Sequence, residues 1–99
     1  VVHPHAEPVW HLFVIRVPGR DRGHARLNRQ GVGAGIHYPV PLHRQPAYRH
    51  QRMQVGALPV TERVAGTIIS LPMYPELTRE QIDSVSNAVL EAISIEALG

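Results

Sequence analysis

The 99-residue sequence contains neither cysteine nor lysine, so all ten of its basic residues are arginine. The lack of cysteine excludes disulfides and thiolate metal sites together, which fits a reducing compartment. The lack of lysine excludes Schiff-base chemistry by any side chain of this chain. Long hydrophobic runs are missing as well: no apolar stretch approaches the roughly 20 residues that a membrane span needs. The opening Val1-Val2-His3-Pro4-His5, with Glu7 ahead of the first apolar run, is unlike a secretory signal, and a cytoplasmic location is expected. Five aromatic residues with no paired stacking motif do not make a nucleic-acid recognition module. There is no GxxxxGK[ST] loop, and Gly31-Val32-Gly33-Ala34-Gly35 lacks the strand-then-helix setting of a dinucleotide fingerprint. Ser70, in Ile68-Ile69-Ser70-Leu71-Pro72, has no flanking glycines to form a nucleophile elbow, and Ser84, Ser86 and Ser94 fall in a helical pattern.

What is present is unevenly charged. Residues 16 to 52 hold eight arginines against Asp21 alone, a balance of +7, whereas residues 53 to 99 hold Arg63 and Arg79 against six acids, a balance of −4. With Glu7 the sum is +2. A basic first half suits a phosphate-bearing partner such as a nucleotide or a nucleotide-linked metabolite, and it equally suits a solvated arginine-rich face. The hydrophobic fraction of 43% is ordinary for a globular chain, and the length allows one small domain spanning 1–99.

The order of elements follows from local pattern. Residues 1–9, with Pro4 and Pro8, read as an extended lead-in. Trp10 to Val17 is rich in aromatic and β-branched residues and is closed by Pro18-Gly19; its near-continuous apolar character predicts a strand at the centre of a sheet. Asp21 to Gln30 suits a helix stopped by Gly31, with a thin stripe of Ala25, Leu27 and Val32. Gly33 to His37 offers a short second strand, and Arg44 to Ala57, poor in aliphatics, reads as a mobile loop. Pro59 to Gly66 reads as a short helix and Thr67 to Leu71 as a third strand. Thr78 and Gln81 form a capping box before Ile82, Val85, Ala88, Val89, Ala92 and Ile93, one stripe on a helix expected to cover the sheet. The fold class is therefore a small α/β (α+β) domain of about three strands with helices packed on the sheet.

Gly35-Ile36-His37-Tyr38-Pro39-Val40-Pro41-Leu42-His43 is too apolar for an ordinary loop and too rich in proline for a core strand. Pro39 and Pro41 hold it extended, so His37, Tyr38 and His43 are presented on a stiff backbone as hydrogen-bonding and stacking groups. The segment is either a binding surface or a surface-crossing stretch that packs Tyr38 and Leu42 onto its own domain. A zinc site on His3, His5 and His11 fits poorly, because Pro4 separates the first two and no carboxylate completes the set.

Three stretches taken together, Trp10 to Arg16, then Gly35 to His43 with Gln45-Pro46-Ala47-Tyr48, then Ser70-Leu71-Pro72-Met73-Tyr74-Pro75-Glu76-Leu77-Thr78, resemble the C-terminal end of the DegT/DnrJ/StrS family of pyridoxal-phosphate-dependent sugar aminotransferases. The resemblance covers nearly the whole chain. It implies the small C-terminal domain of a fold-type-I aminotransferase, partnered by a large domain whose lysine holds pyridoxal phosphate and whose aspartate pairs with the pyridine nitrogen. In such an enzyme an amino group passes from glutamate or another amino-acid donor to a keto-sugar nucleotide, and the assembly is a homodimer. The large domain's motifs do not occur here, so no cofactor is expected on this chain alone. The matched residues carried over to the sugar-nucleotide cleft are His37, Tyr38 and His43, with Arg44 and Arg49 flanking them to meet phosphates. The other expectation the residues allow is a stand-alone module that binds a sugar nucleotide or phosphate ligand without catalysis. A domain shaped to fit a larger partner should also expose an apolar patch and tend to self-associate.

Overall fold

The computed structural model describes residues 2–48 and 57–98. Strand β1 is Phe13–Arg16, followed by helix α1 at Arg20–Arg29. Two single 3-10 turns at Leu42–Arg44 and Pro46–Tyr48 precede helix α2 at Pro59–Ala65, strand β2 at Ile68–Leu71 and helix α3 at Arg79–Leu98. The α+β class holds, and the sheet is smaller than expected: β1 and β2 pair antiparallel with Phe13 opposite Leu71 and Arg16 opposite Ile68. The anticipated strand over Gly33 to His37 is reduced to one bridge between Gly35 and Ser70. Glycines weaken strands, and here two of them flank Ala34, whose side chain is spent on the core.

The central strand is β2. It has β1 on one edge and the Gly35 bridge on the other, while the Trp10 to Val17 run that read as central forms the outer strand. Phe13 and Val14 are each 44% exposed, and the Trp10 and Phe13 rings lie 5.8 Å apart on the open side. An apolar run announces that both faces suit apolar cover; it cannot say whether this chain provides it.

The core is built from Val17, Leu27, Val32, Ala34 and Ile69, with Val85, Ala88, Val89 and Ile93 of α3 packed against it. On α1 the buried pair is Gly23 and Leu27, one turn apart, and Ala25, expected on that stripe, is exposed. Gly23 has no side chain to read in a hydrophobic pattern, yet it is buried against the core: a Cβ there would lie in ordinary contact with Ile69 Cδ1, at 3.8 Å. Gly31 closes α1 at φ 82°, as its position suggested. Arg20, at the opposite end, bonds to Asp21 Oδ1 at 2.6 Å and to the Ala65 and Ile68 carbonyls at 2.9 and 3.3 Å, tying α1 to the α2–β2 junction.

The capping box forms in both directions, with the Gln81 amide donating to Thr78 Oγ1 at 3.1 Å and the Thr78 amide donating to Gln81 Oε1 at 2.9 Å. The α3 stripe is inward from Val85 to Ile93, with Ala92 buried, while Ile82 at its start is exposed. The helix lies along α1 as well as over β2. Thr78→Ala is expected to cost about 1 kcal/mol, read as a melting-temperature drop of roughly 4–8 °C in a domain of this size; an unchanged midpoint would deny the cap its role.

Candidate functional site

Two groups of side chains organise the segment between α1 and α2. The first is centred on β2. Gly35 and Ser70 exchange backbone hydrogen bonds of 3.0 and 2.8 Å, fixing the segment to the buried strand. Just upstream, the Ala34 carbonyl accepts from His24 Nε2 at 2.9 Å and from Asn28 Nδ2 at 3.3 Å, so α1 holds the same point from the other side. His37 Nδ1 lies 2.9 Å from Ser70 Oγ, and Tyr38 sets its ring edge-on to the imidazole at 5.4 Å. The peptide bond joining His37 to Tyr38 is cis. Tyr38 is 68% exposed and Leu42 71%, so neither packs onto its own domain, and the segment is a surface that displays them.

The second group is centred on Glu62 of α2. Pro41 is extended, with φ −58° and ψ 149°, and the chain then turns through Leu42–Arg44. His43 Nε2 donates to Glu62 Oε1 at 3.0 Å, and Arg44 donates to the same oxygen from Nε at 2.8 Å and from Nη2 at 2.6 Å. The His43 side chain is almost wholly covered, whereas that of Arg44 is more than half exposed. Hydrogen bonds from His43, and then from Arg44, hold the Glu62 carboxyl below the usual glutamate range, against a smaller opposing effect of burial.

His43 and Arg44 are thus brought together on Glu62 while His37 is anchored on Ser70, and among the described residues no hydrogen bond joins the two groups. Arg44, placed in a mobile loop by its sequence neighbourhood, is fixed in an ordered turn because Glu62 meets it; the part of that loop from 49 to 56, including Arg49, lies outside the described residues. Read from sequence, Glu62 goes unmarked, and Ser70 is weighed only as a nucleophile and not as a partner of His37. Glu62 follows Arg44 by 18 residues with no local pattern to link them, and its one signal was its place in a short helix otherwise lacking acid. Ser70 looked like a strand residue because it is one.

Glu62 also makes the site pH-dependent in a definite direction. A carboxyl whose folded pKa is lowered contributes stability that is fully present above its unfolded value and is lost as pH falls through the folded one. The turn at 42–44 should therefore stay docked on α2 as pH drops through the ordinary glutamate range and release below it. Carboxyl-carbon NMR should show the Glu62 midpoint rising in His43→Gln and, by less, in Arg44→Gln; equal midpoints in all three proteins would refute the coupling.

His3 and His5 stack at 5.3 Å near the start of the chain, and among the described residues no three histidine or acidic side chains gather as a metal site would need. Among the same residues no helix is long and apolar enough to cross a membrane.

Against known proteins, residues 1–90 match the DegT/DnrJ/EryC1/StrS aminotransferase family. The chain belongs to that family. A DegT/DnrJ/EryC1/StrS aminotransferase from Brucella abortus has a matching solved structure, with a TM-score of 0.74 and 34% identity over 83% of this chain and 22% of that one. The erythromycin biosynthesis sensory transduction protein EryC1 of Saccharopolyspora erythraea is 46% identical over 84% of this chain and 23% of its own length. The dTDP-3-amino-3,4,6-trideoxy-alpha-D-glucose transaminase of Streptomyces venezuelae is 42% identical over 92% of this chain and 24% of its own length. The chain thus spans a little under a quarter of the curated DegT/DnrJ/EryC1/StrS relatives it matches.

Proposed function

We propose that this chain is the C-terminal, substrate-side domain of a cytoplasmic, pyridoxal-phosphate-dependent aminotransferase that delivers an amino group from an amino-acid donor to a nucleotide-linked keto sugar. The observation that carries the reading is the family match over residues 1–90, joined to a relative whose name specifies a dTDP-linked amino sugar. Within the segment, His37 and Tyr38 supply polar and stacking groups at the sugar. The exposed guanidinium of Arg44 supplies positive charge toward the phosphates, and His43 acts by steadying Arg44 through Glu62.

The residues of this chain do not fit the covalent holding of pyridoxal phosphate, since that needs a side-chain amine and the sequence has no lysine. When bound by a large domain, the cofactor supplies the electron sink for moving the amino group; this chain contributes one wall of the cleft and is inert by itself. Its surface supports a covering partner. An apolar cleft of about 250 Å³ lined by Phe13, Leu71, Met73 and Ile82 opens beside the exposed Trp10. We assign that face to the large domain and the assembly to a homodimer.

Mixed with pyridoxal phosphate, the 99-residue chain should leave the free cofactor's absorbance unchanged, and calorimetry with a dTDP-hexose should give a Kd no tighter than about 1 mM, because half a cleft leaves the ordering cost largely uncompensated. Tight saturable binding by the chain alone would overturn the domain reading in favour of an independent binding module.

A further inference from the structure

We infer that Ser70 and Gly35 form a seat that selects the tautomer and fixes the orientation of His37, so that the imidazole presents Nε2–H outward as a donor to an acceptor oxygen of the ligand. Ser70 is 4% exposed, and among the described residues His37 Nδ1, at 2.9 Å, is the single partner of its hydroxyl. A buried hydroxyl must place its hydrogen, and the ring nitrogen offers the acceptor. Were Nδ1 to carry the proton instead, it would donate to the hydroxyl oxygen and leave the hydroxyl hydrogen buried without a partner, the more costly arrangement. The neutral ring therefore carries its proton on Nε2.

Gly35 completes the seat from below. A Cβ at that position would stand 3.1 Å from His37 Cε1, so the ring would have to give by a few tenths of an ångström to admit a side chain. The two residues are also locked to each other through both backbone hydrogen bonds, so the hydroxyl and the bare Cα meet the ring in fixed register. This makes Ser70 and Gly35 positioning residues for the site proposed above, and the assignment rests on that reading only for the identity of the ligand. An outward N–H meets acceptor oxygens, whether of a phosphate or of a sugar, and the preference is set by a strand rather than by the ligand itself.

Long-range 1H–15N spectra of the neutral His37 ring report the tautomer directly and need no ligand. In the 99-residue chain we expect a predominant Nε2–H form, a mixed population in Ser70→Ala, and recovery in Ser70→Thr, which keeps the hydroxyl. Ser70→Val, which keeps the branched shape of Thr and removes only the hydroxyl, should give the same mixture as Ser70→Ala and serves if that variant does not fold. Unchanged tautomer populations in a folded variant would overturn the proposal. In a full-length enzyme carrying this segment, Ser70→Ala should weaken dTDP-hexose binding by roughly tenfold. A mixed tautomer with unaltered binding would uphold the seat and refute the placement of His37 at the ligand.

Discussion

Ile69→Ala is expected to remove about 3–4 kcal/mol of stability, in the upper part of the range for emptying a fully buried aliphatic site. Ile69 is 0% exposed and sits where the α1 residues Gly23 and Leu27, Val17 just after β1 and the α3 residues Val89, Ala92 and Ile93 converge. The void cannot close easily, because Gly23 has no side chain to relax into it and β2 is held on both edges. Since small domains hold only about 5–15 kcal/mol in all, urea unfolding should show a large fall in midpoint at nearly unchanged slope. Ile82→Ala on the same α3 stripe, where the side chain is 45% exposed, should cost under about 1 kcal/mol. Equal losses at the two positions would mean that the core lies elsewhere.

The second large effect concerns ligand binding. In a full-length enzyme carrying this segment, His37→Ala and Tyr38→Ala are each expected to weaken sugar-nucleotide affinity by about 1–3 kcal/mol, or roughly 5- to 150-fold. The two rings touch edge-on at 5.4 Å, so the double variant should lose less than the sum of the singles. On the proposed placement of both residues at the sugar, the absorbance of bound cofactor should persist throughout. Loss of that absorbance with intact sugar-nucleotide binding would assign the pair to the cofactor side. Isothermal titration and visible spectroscopy on the same preparations separate the two outcomes.

The features legible from sequence were those with local causes. Thr78 and Gln81 announced the start of α3 because a capping box needs only residues three apart, and Gly31 announced the end of α1 because only glycine enters the left-handed region freely. The spacing from Val85 to Ile93 gave the buried face of α3 by the same logic. The segment from Gly35 to His43 also stood out, since prolines and aromatics in that density have few uses. What local pattern could not supply was pairing across the chain. Whether Trp10 to Val17 was central or outer depended on what lay beside it, and the strand that took the centre was a shorter run with a serine in it. The residues that hold the segment's histidines, Glu62 and Ser70, lie 19 and 33 positions from them, and nothing near either one records that relation. Gly23 escaped for a different reason: a buried residue without a side chain leaves no mark in a hydrophobic pattern.

The Gly35–Ser70 bridge, confined to one residue on each side, gives the displayed segment an independence that a full third strand would deny it. Two amide hydrogens, those of Gly35 and Ser70, are secured by this contact alone, while the neighbouring amides of β2 do not look toward the segment at all. Beyond that bridge the segment is held by side chains alone, His37 on Ser70 and then His43 and Arg44 on Glu62, so its backbone can part from the sheet without breaking any β1–β2 pairing. Solvent exchange at those two positions would count the openings.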